Sequence, residues 1–186
     1  MEPATTAVLV IDLQEEYYDE NRPWYVPDGD RVLNRCQSLL EAARVTDATV
    51  VHARHVSRSK EASVFGWGSE YISVIDDITI RDDEHLITKT TPGCFQDTRL
   101  DDILARNGIE TVVCAGLLSF VCVDTTAREA SARGYNSVYV RDATAGIQVG
   151  DYGPEEITDT VATVQDLIFS EVVETDSVVE RLESGA

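Results

Sequence analysis

The stretch Thr111-Val112-Val113-Cys114-Ala115-Gly116-Leu117-Leu118-Ser119-Phe120-Val121-Cys122-Val123-Asp124-Thr125-Thr126-Ala127 decides how the chain is read. From Thr111 to Ala115 it is short, β-branched and apolar, the pattern of a parallel strand covered on both faces. Gly116 ends that run. From Val121 onward Val121, Ala127, Ala130 and Ala132 mix with Asp124, Arg128, Glu129 and Arg133, which predicts a helix stopped by Gly134. Cys122 then falls in the first helical turn, where backbone N–H groups lack intrahelical partners. That field favours an anion, so the thiol is expected to ionise more easily than a free cysteine. Taken alone, a cysteine on a helix is more often a small buried apolar residue.

Working outward, the same strand-and-helix alternation recurs. Thr6–Ile11 is an apolar strand that delivers Asp12 at its carboxyl end, where a turn or cap residue is the competing reading. A loop from Glu15 to Tyr25 follows, and its Tyr17, Tyr18, Trp24 and Tyr25 either wall a pocket or pack over the sheet edge. Pro27-Asp28 opens a helix with Val32, Leu33, Cys36, Leu39, Leu40 and Ala43 at the spacing of one buried face. Ala48–Arg54 is a second strand, ending at His55. The excursion from Ser57 to Tyr71, with Gly66-Trp67-Gly68, is longer than a connection needs and reads as substrate-facing. His85–Lys89 is a third strand ending in Lys89, followed by a turn with Phe95 and a helix over Asp97–Gly108. Ser137–Val140 is a fifth strand, Pro154–Phe169 a helix, Val172-Val173 a last short strand and Ser177–Leu182 a closing helix. The alternation predicts one α/β domain over residues 1–186, a three-layer, Rossmann-like α/β/α arrangement around a mainly parallel sheet. Function in such sheets collects at the carboxyl ends of strands, where Asp12, Lys89 and the turn before Cys122 all lie.

Composition narrows the partners. The chain has 186 residues, 43% of them hydrophobic, and carries 34 acidic against 15 basic residues, a net charge of −19. Such a surface repels phosphate backbones and anionic lipid, so neither nucleic acid nor membrane is expected as a partner. The chain carries no run of 18 apolar residues. Its start, Met1-Glu2-Pro3-Ala4-Thr5-Thr6, leads straight into a strand without a visible targeting segment, so a cytoplasmic setting with reduced thiols is expected. Lys60 and Lys89 are the two lysines in the chain. An acid-rich, lysine-poor surface suits concentrated salt, which points to a halophilic source. Where lysine is so scarce, Lys89 at the end of an apolar strand is expected to do what arginine cannot.

A thiol, a carboxylate and an ammonium at one sheet edge suit hydrolysis. Cys122 attacks a carbonyl carbon, Asp12 moves the proton, Lys89 supplies positive charge, and amides of the turn from Leu118 to Cys122 hold the oxyanion. His52, His55 and His85 are not beside the cysteine in sequence, and this chemistry requires none of them.

Asp12-Leu13-Gln14 after its strand, Lys89 followed by Phe95 and Leu100, and Gly116-Leu117-Leu118-Ser119-Phe120-Val121-Cys122-Val123 with Thr126-Ala127 form a specific set in this order and spacing. On them the chain resembles, over nearly its whole length, the isochorismatase-like cysteine hydrolases, a family that includes nicotinamidases and N-carbamoylsarcosine amidohydrolase. The resemblance implies a catalytic triad of Asp12, Lys89 and Cys122, a thioester intermediate, a cis peptide at Leu118-Ser119 shaping the oxyanion site, a six-stranded parallel sheet, and a homo-oligomer, dimer or tetramer. It also implies strand order 3-2-1-4-5-6, which leaves Lys89 two strands from Asp12, about 9.5 Å at the usual ~4.8 Å spacing. Either the lysine stem leans inward or its strand lies beside that of Asp12.

Where the family usually has threonine this chain has Ser119, and Phe120 replaces a polar residue, making the pocket roof more apolar. Nicotinamidases carry an Asp-x-His metal motif where this chain reads His52-Ala53-Arg54-His55, so neither a metal nor another cofactor is expected. Arg54 either holds a substrate carboxylate or forms a surface ion pair. The expected substrate-binding set is Gln14, Tyr18, Trp24, Arg54, Trp67, Phe95 and Phe120. The expected activity is cleavage of a carbon–nitrogen bond in a small amide, carbamoyl or ureido compound. The rivals are an isochorismatase-type hydrolase of an ether-linked substrate and a flavodoxin-like binding module with an inert Cys122.

Overall fold

The computed structural model describes residues 1–185. Among the described residues six strands form one parallel sheet in the order β3-β2-β1-β4-β5-β6. The strands are β1 (Thr6–Ile11), β2 (Thr49–His55), β3 (His85–Lys89), β4 (Thr111–Leu117), β5 (Asn136–Ala145) and β6 (Glu171–Val173). The helices are α1 (Gly29–Val45), α2 (Leu100–Arg106), α3 (Asp124–Ala132), α4 (Pro154–Val164) and α5 (Thr175–Ser184). None of them is long and apolar enough to cross a membrane, among the described residues.

Strand alternation divides the apolar residues between two cores. Val8, Val10, Val50, Val113 and Val138 pack on one face with Val32, Cys36 and Leu39 of α1 and Val178 and Leu182 of α5. Ala7, Leu9, Ile11, Val51 and Val112 pack on the other with Leu100 and Leu104 of α2, Ala127 and Ala130 of α3 and Ala162 of α4. Each fully buried Val or Leu contributes about 2 kcal/mol, and β1, buried on both faces, is the axis of both cores.

Several elements depart from the sequence expectation. β4 runs two residues past Ala115, to Leu117, and β5 continues from Val140 to Ala145. Its register on β4 jumps from Cys114↔Tyr139 to Gly116↔Thr144, so the charged pair Arg141-Asp142 sits in a bulge rather than at the strand's end. The segment before α3 is a wide turn, Ser119–Val123, of π-helical type. The cis peptide joins Leu117 to Leu118, not Leu118 to Ser119, because β4 extends to Leu117 and the turn begins directly after Leu118.

Two backbone features set the sheet edge where β1 and β4 end. Gly116 has φ 121°, and a Cβ there would lie 2.0 Å from the carbonyl oxygen of Ile11. No side chain fits that approach. Beside it Asp12 adopts a left-handed backbone, φ 55°, with its N–H donating to Ala53 O at 2.9 Å while its own carbonyl accepts from Gln14 N at 2.9 Å.

Candidate active site

Asp12, Lys89 and Cys122 come together at the carboxyl edge of the sheet. Lys89 Nζ lies 2.7 Å from Asp12 Oδ2, and both side chains are fully buried. Lys89 is two strands from Asp12, so its stem does lean inward, over the end of β2, where His55 is its register partner. Lys89 Nζ also donates to Thr91 O at 3.3 Å. The lysine–aspartate contact is an ion pair rather than an aligned hydrogen bond: among the described residues neither Asp12 Oδ1 nor Oδ2 receives a donor in hydrogen-bonding geometry. A buried carboxylate without an aligned donor has lone pairs open to a proton from a neighbouring group.

Cys122 is the neighbour that can supply it. Burial first, then the charge of Asp12, push its thiol well above the ordinary range, and Lys89 opposes them. This reverses the expectation of an easily ionised thiol, because at the wide turn desolvation and a facing carboxylate outweigh the dipole of the helix that follows. Burial also pulls Lys89 down, but Asp12 and then Cys122 outweigh it and hold the ammonium charged. At rest the thiol is therefore protonated and the lysine charged. Moving one proton from Cys122 to Asp12 leaves the net charge of the buried site unchanged, which is far less costly than releasing it to water. Burial raises Cys36, Cys94 and Cys114 as well, Cys94 to about 12. All four thiols are free.

Cys122 is 5% exposed and forms part of the lining of a cavity of about 280 Å³. Tyr17, Trp24, His55, Phe65, Pro92 and Val121 make most of the rest, and the wall is chiefly apolar. Tyr17 and Phe65 meet edge-on at 5.3 Å between ring centroids, and His55 meets Phe65 the same way at 5.2 Å. A buried ion pair fixes this wall. Arg22 holds Glu16 through Nε at 3.1 Å and Nη2 at 2.8 Å, and Nη2 reaches across to Ser63 O at 2.6 Å. The turn after β1 is thereby tied to the excursion that carries Phe65.

Of the residues expected to bind substrate, Trp24 lines the cavity and the others are placed elsewhere. The Gln14 amide is spent on backbone: Oε1 accepts from His55 N at 2.7 Å, and Nε2 donates to His55 O and Ile72 O, each at 2.9 Å. Tyr18 packs on Gly29, because the 3-10 turn Glu15–Tyr17 rotates Tyr17 inward instead. Arg54 donates to Thr88 Oγ1 at 3.0 Å, across β2 and β3. Trp67 is 51% exposed. Phe95 stacks on Tyr135 under the Arg133 guanidinium, and Phe120 packs against the core on the α1 side. Leu118 is buried, and its carbonyl accepts from Val121 N and Val123 N, both at 3.2 Å. Ser119 Oγ lies 2.9 Å from Thr158 Oγ1 of α4, while Ser119 O accepts from Tyr139 OH at 3.1 Å, so β5 and α4 brace the turn. Among the described residues no group of three or more His, Cys, Asp or Glu side chains is arranged to hold a metal ion.

The chain has counterparts among known proteins. Residues 6–176 match the isochorismatase domain. The chain belongs to the isochorismatase family. A secreted isochorismatase effector of Verticillium dahliae is 33% identical over 138 residues, 74% of this chain and 71% of that protein. An N-carbamoylsarcosine amidase of an Arthrobacter species is 28% identical over 194 residues, 96% of this chain and 71% of that one. Among solved structures, a cysteine hydrolase from Pseudomonas syringae pv. phaseolicola superposes with a TM-score of 0.91 at 25% identity, covering 100% of this chain and 96% of that one. The chain is thus an isochorismatase-family hydrolase, with the same α/β fold as these neighbours.

Proposed function

We propose that this hydrolase is a cysteine-dependent amidohydrolase cleaving a carbon–nitrogen bond of a small amide, carbamoyl or ureido compound through a thioester on Cys122. One observation carries the reading: a fully buried ammonium–carboxylate pair with unpartnered carboxylate oxygens lies next to a thiol that opens onto a small cavity. Cys122 Sγ bonds to the carbonyl carbon as its proton passes to Asp12. Amides of the turn at Leu118 and Ser119 stabilise the oxyanion. The tetrahedral adduct collapses, the carbon–nitrogen bond breaks, and Asp12 returns the proton to the leaving nitrogen. A water then attacks the thioester, giving up its proton to Asp12, which restores the thiol as the acid departs. Lys89 keeps its charge throughout and holds the thiolate and the aspartate in register.

The amidase among the relatives supports this reading, and an ether-cleaving alternative leaves the thiol without a task. In the same reading residues 1–186 act as one domain in a dimer or tetramer, which a sizing column measures. The activity is tested by following ammonia release from a panel of small amides and ureas, with Cys122→Ala as control and mass spectrometry for an acyl adduct on Cys122. Release that persists in Cys122→Ala overturns the thioester.

A further inference from the structure

Tyr17 is a cavity residue that the mechanism above does not use. It is 1% exposed, among the largest fully buried side chains, and what it shows faces the cavity that Cys122 also lines. Its ring is held edge-on by Phe65 at 5.3 Å and tilted against Trp24 at 6.5 Å between centroids, which fixes its place in the cavity wall. The hydroxyl makes no hydrogen bond among the described residues, although buried tyrosine hydroxyls ordinarily find a partner. By contrast the hydroxyls of Tyr18, Tyr71 and Tyr139 are bonded to Gly29 O, Asp19 Oδ2 and Ser119 O. Burial, then the neighbouring Cys122, Asp12 and Glu16, push the Tyr17 phenol well above its usual range, so it stays protonated and able to donate.

We propose that Tyr17 is a specificity-determining residue: its hydroxyl donates a hydrogen bond to an acceptor atom on an uncharged guest lying over Cys122. The inference rests on the amidohydrolase reading and narrows its substrate class. The carboxylates of Asp12 and Glu16 both act on the phenol, and each is already paired, Asp12 with Lys89 and Glu16 with Arg22. Among the described residues no arginine or lysine lines this cavity. A carboxylate on the guest therefore meets a chiefly apolar wall with no free cation among the described residues, whereas a neutral ether, carbonyl or ring nitrogen finds the Tyr17 hydroxyl, which no described residue occupies.

The test uses two isosteric amides, butanamide and methoxyacetamide, which differ by a methylene against an ether oxygen, with succinamate as the anionic probe. The readout is the concentration of each that halves the initial rate of Cys122 alkylation by iodoacetamide, in the native protein and in Tyr17→Phe. Methoxyacetamide is expected to protect at about tenfold lower concentration than butanamide, the worth of one hydrogen bond, with succinamate weakest. In Tyr17→Phe the ratio is expected to fall to about one, each protection being normalised to that protein's own alkylation rate without guest. Equal protection by the two amides in the native protein, a preference that survives Tyr17→Phe, or no protection by either overturns the proposal. Should the variant fail to fold, the native preference alone decides. Ammonia release from the same amides is recorded separately: protection without release sinks hydrolysis of these compounds and leaves the contact standing, and release without a preference does the reverse.

Discussion

Two buried acid–base clusters lie on the same half of the sheet, and they are built to opposite ends. In one, Glu84 is 4% exposed and every oxygen is occupied. Oε1 takes Arg44 Nε at 2.6 Å, while Oε2 takes Arg44 Nη2 at 3.1 Å, Arg81 N at 3.0 Å and His52 Nε2 at 2.8 Å. In the other, Asp12 has a single cation at 2.7 Å and no aligned donor among the described residues. Burial alone raises the Glu84 carboxyl, yet the donors around it overcome that and hold the group down at about 2. A carboxylate with every lone pair occupied stabilises the fold; one without an aligned donor, beside a thiol, keeps lone pairs open to chemistry. Burial does not separate the two roles, but hydrogen-bond accounting does.

The largest expected effect breaks the reactive cluster. Asp12→Asn is expected to lower kcat/KM by about 10³-fold or more, since in the proposed reaction it removes the general base of both steps. The same change lowers the thiol's ionisation range, because the charge that raises it is gone while Lys89 stays. The pH midpoint of iodoacetamide labelling at Cys122 is therefore expected to move down as turnover disappears. A midpoint that moves up would mean that Asp12 does not face the thiol.

Next comes the satisfied cluster. Glu84→Ala leaves the half-buried Arg44 and the ring of His52 without their shared carboxylate, a loss of about 2–3 kcal/mol. That corresponds to a fall of roughly 4–12 °C in Tm for a chain of this size, measured by calorimetry, with kcat/KM within about twofold of the native value. Activity falling in step with stability would dissolve the contrast.

The acid limb sharpens it further. Glu84 moves from an ordinary 4.5 to about 2 on folding. Its contribution is present above 4.5 and is lost as pH falls towards 2, on the order of 3 kcal/mol in all. Urea unfolding at pH 6, 4.5 and 3 is expected to show this slope in the native protein and a shallower one in Glu84→Gln. The smallest effect concerns salt. Raising salt from about 0.1 M to about 3 M is expected to raise the native Tm through screening of the −19 surface charge. The Glu84→Gln penalty is expected to change by less than about 0.5 kcal/mol, because buried pairs are screened far less.

The sheet and its edge were legible because each strand is a short apolar run with one chemical group at its end. β1 and β3 fall on the residues expected, Thr6–Ile11 and His85–Lys89, and their ends carry Asp12 and Lys89. The second half of β5 was not legible, since Arg141 and Asp142 look like a turn until the bulge against Gly116 is seen. The cavity wall was legible as aromatic loops but not as particular residues. Tyr17 or Tyr18, Phe65 or Trp67 is chosen by one 3-10 turn and by a left-handed backbone at Phe65, φ 52°, neither of which composition records. Gln14 misled for a related reason: an amide two residues from the Asp12 carboxylate looks like a substrate contact until both its ends are found clamping His55. His55 itself, excluded from the chemistry on sequence distance, lines the cavity.

Gly116 has a consequence for how this site can vary over time. The nearest atoms to an added methyl there are the backbone O, N and C of Ile11, at 2.0, 2.7 and 2.8 Å, which have no rotamer to give. A chain carrying Gly116→Ala must therefore push strand from strand at the residue before Asp12. Inheritance of the aspartate's aim depends on a codon whose residue has no side chain at all, and a lineage can keep Asp12, Lys89 and Cys122 and still lose their arrangement by gaining one carbon atom.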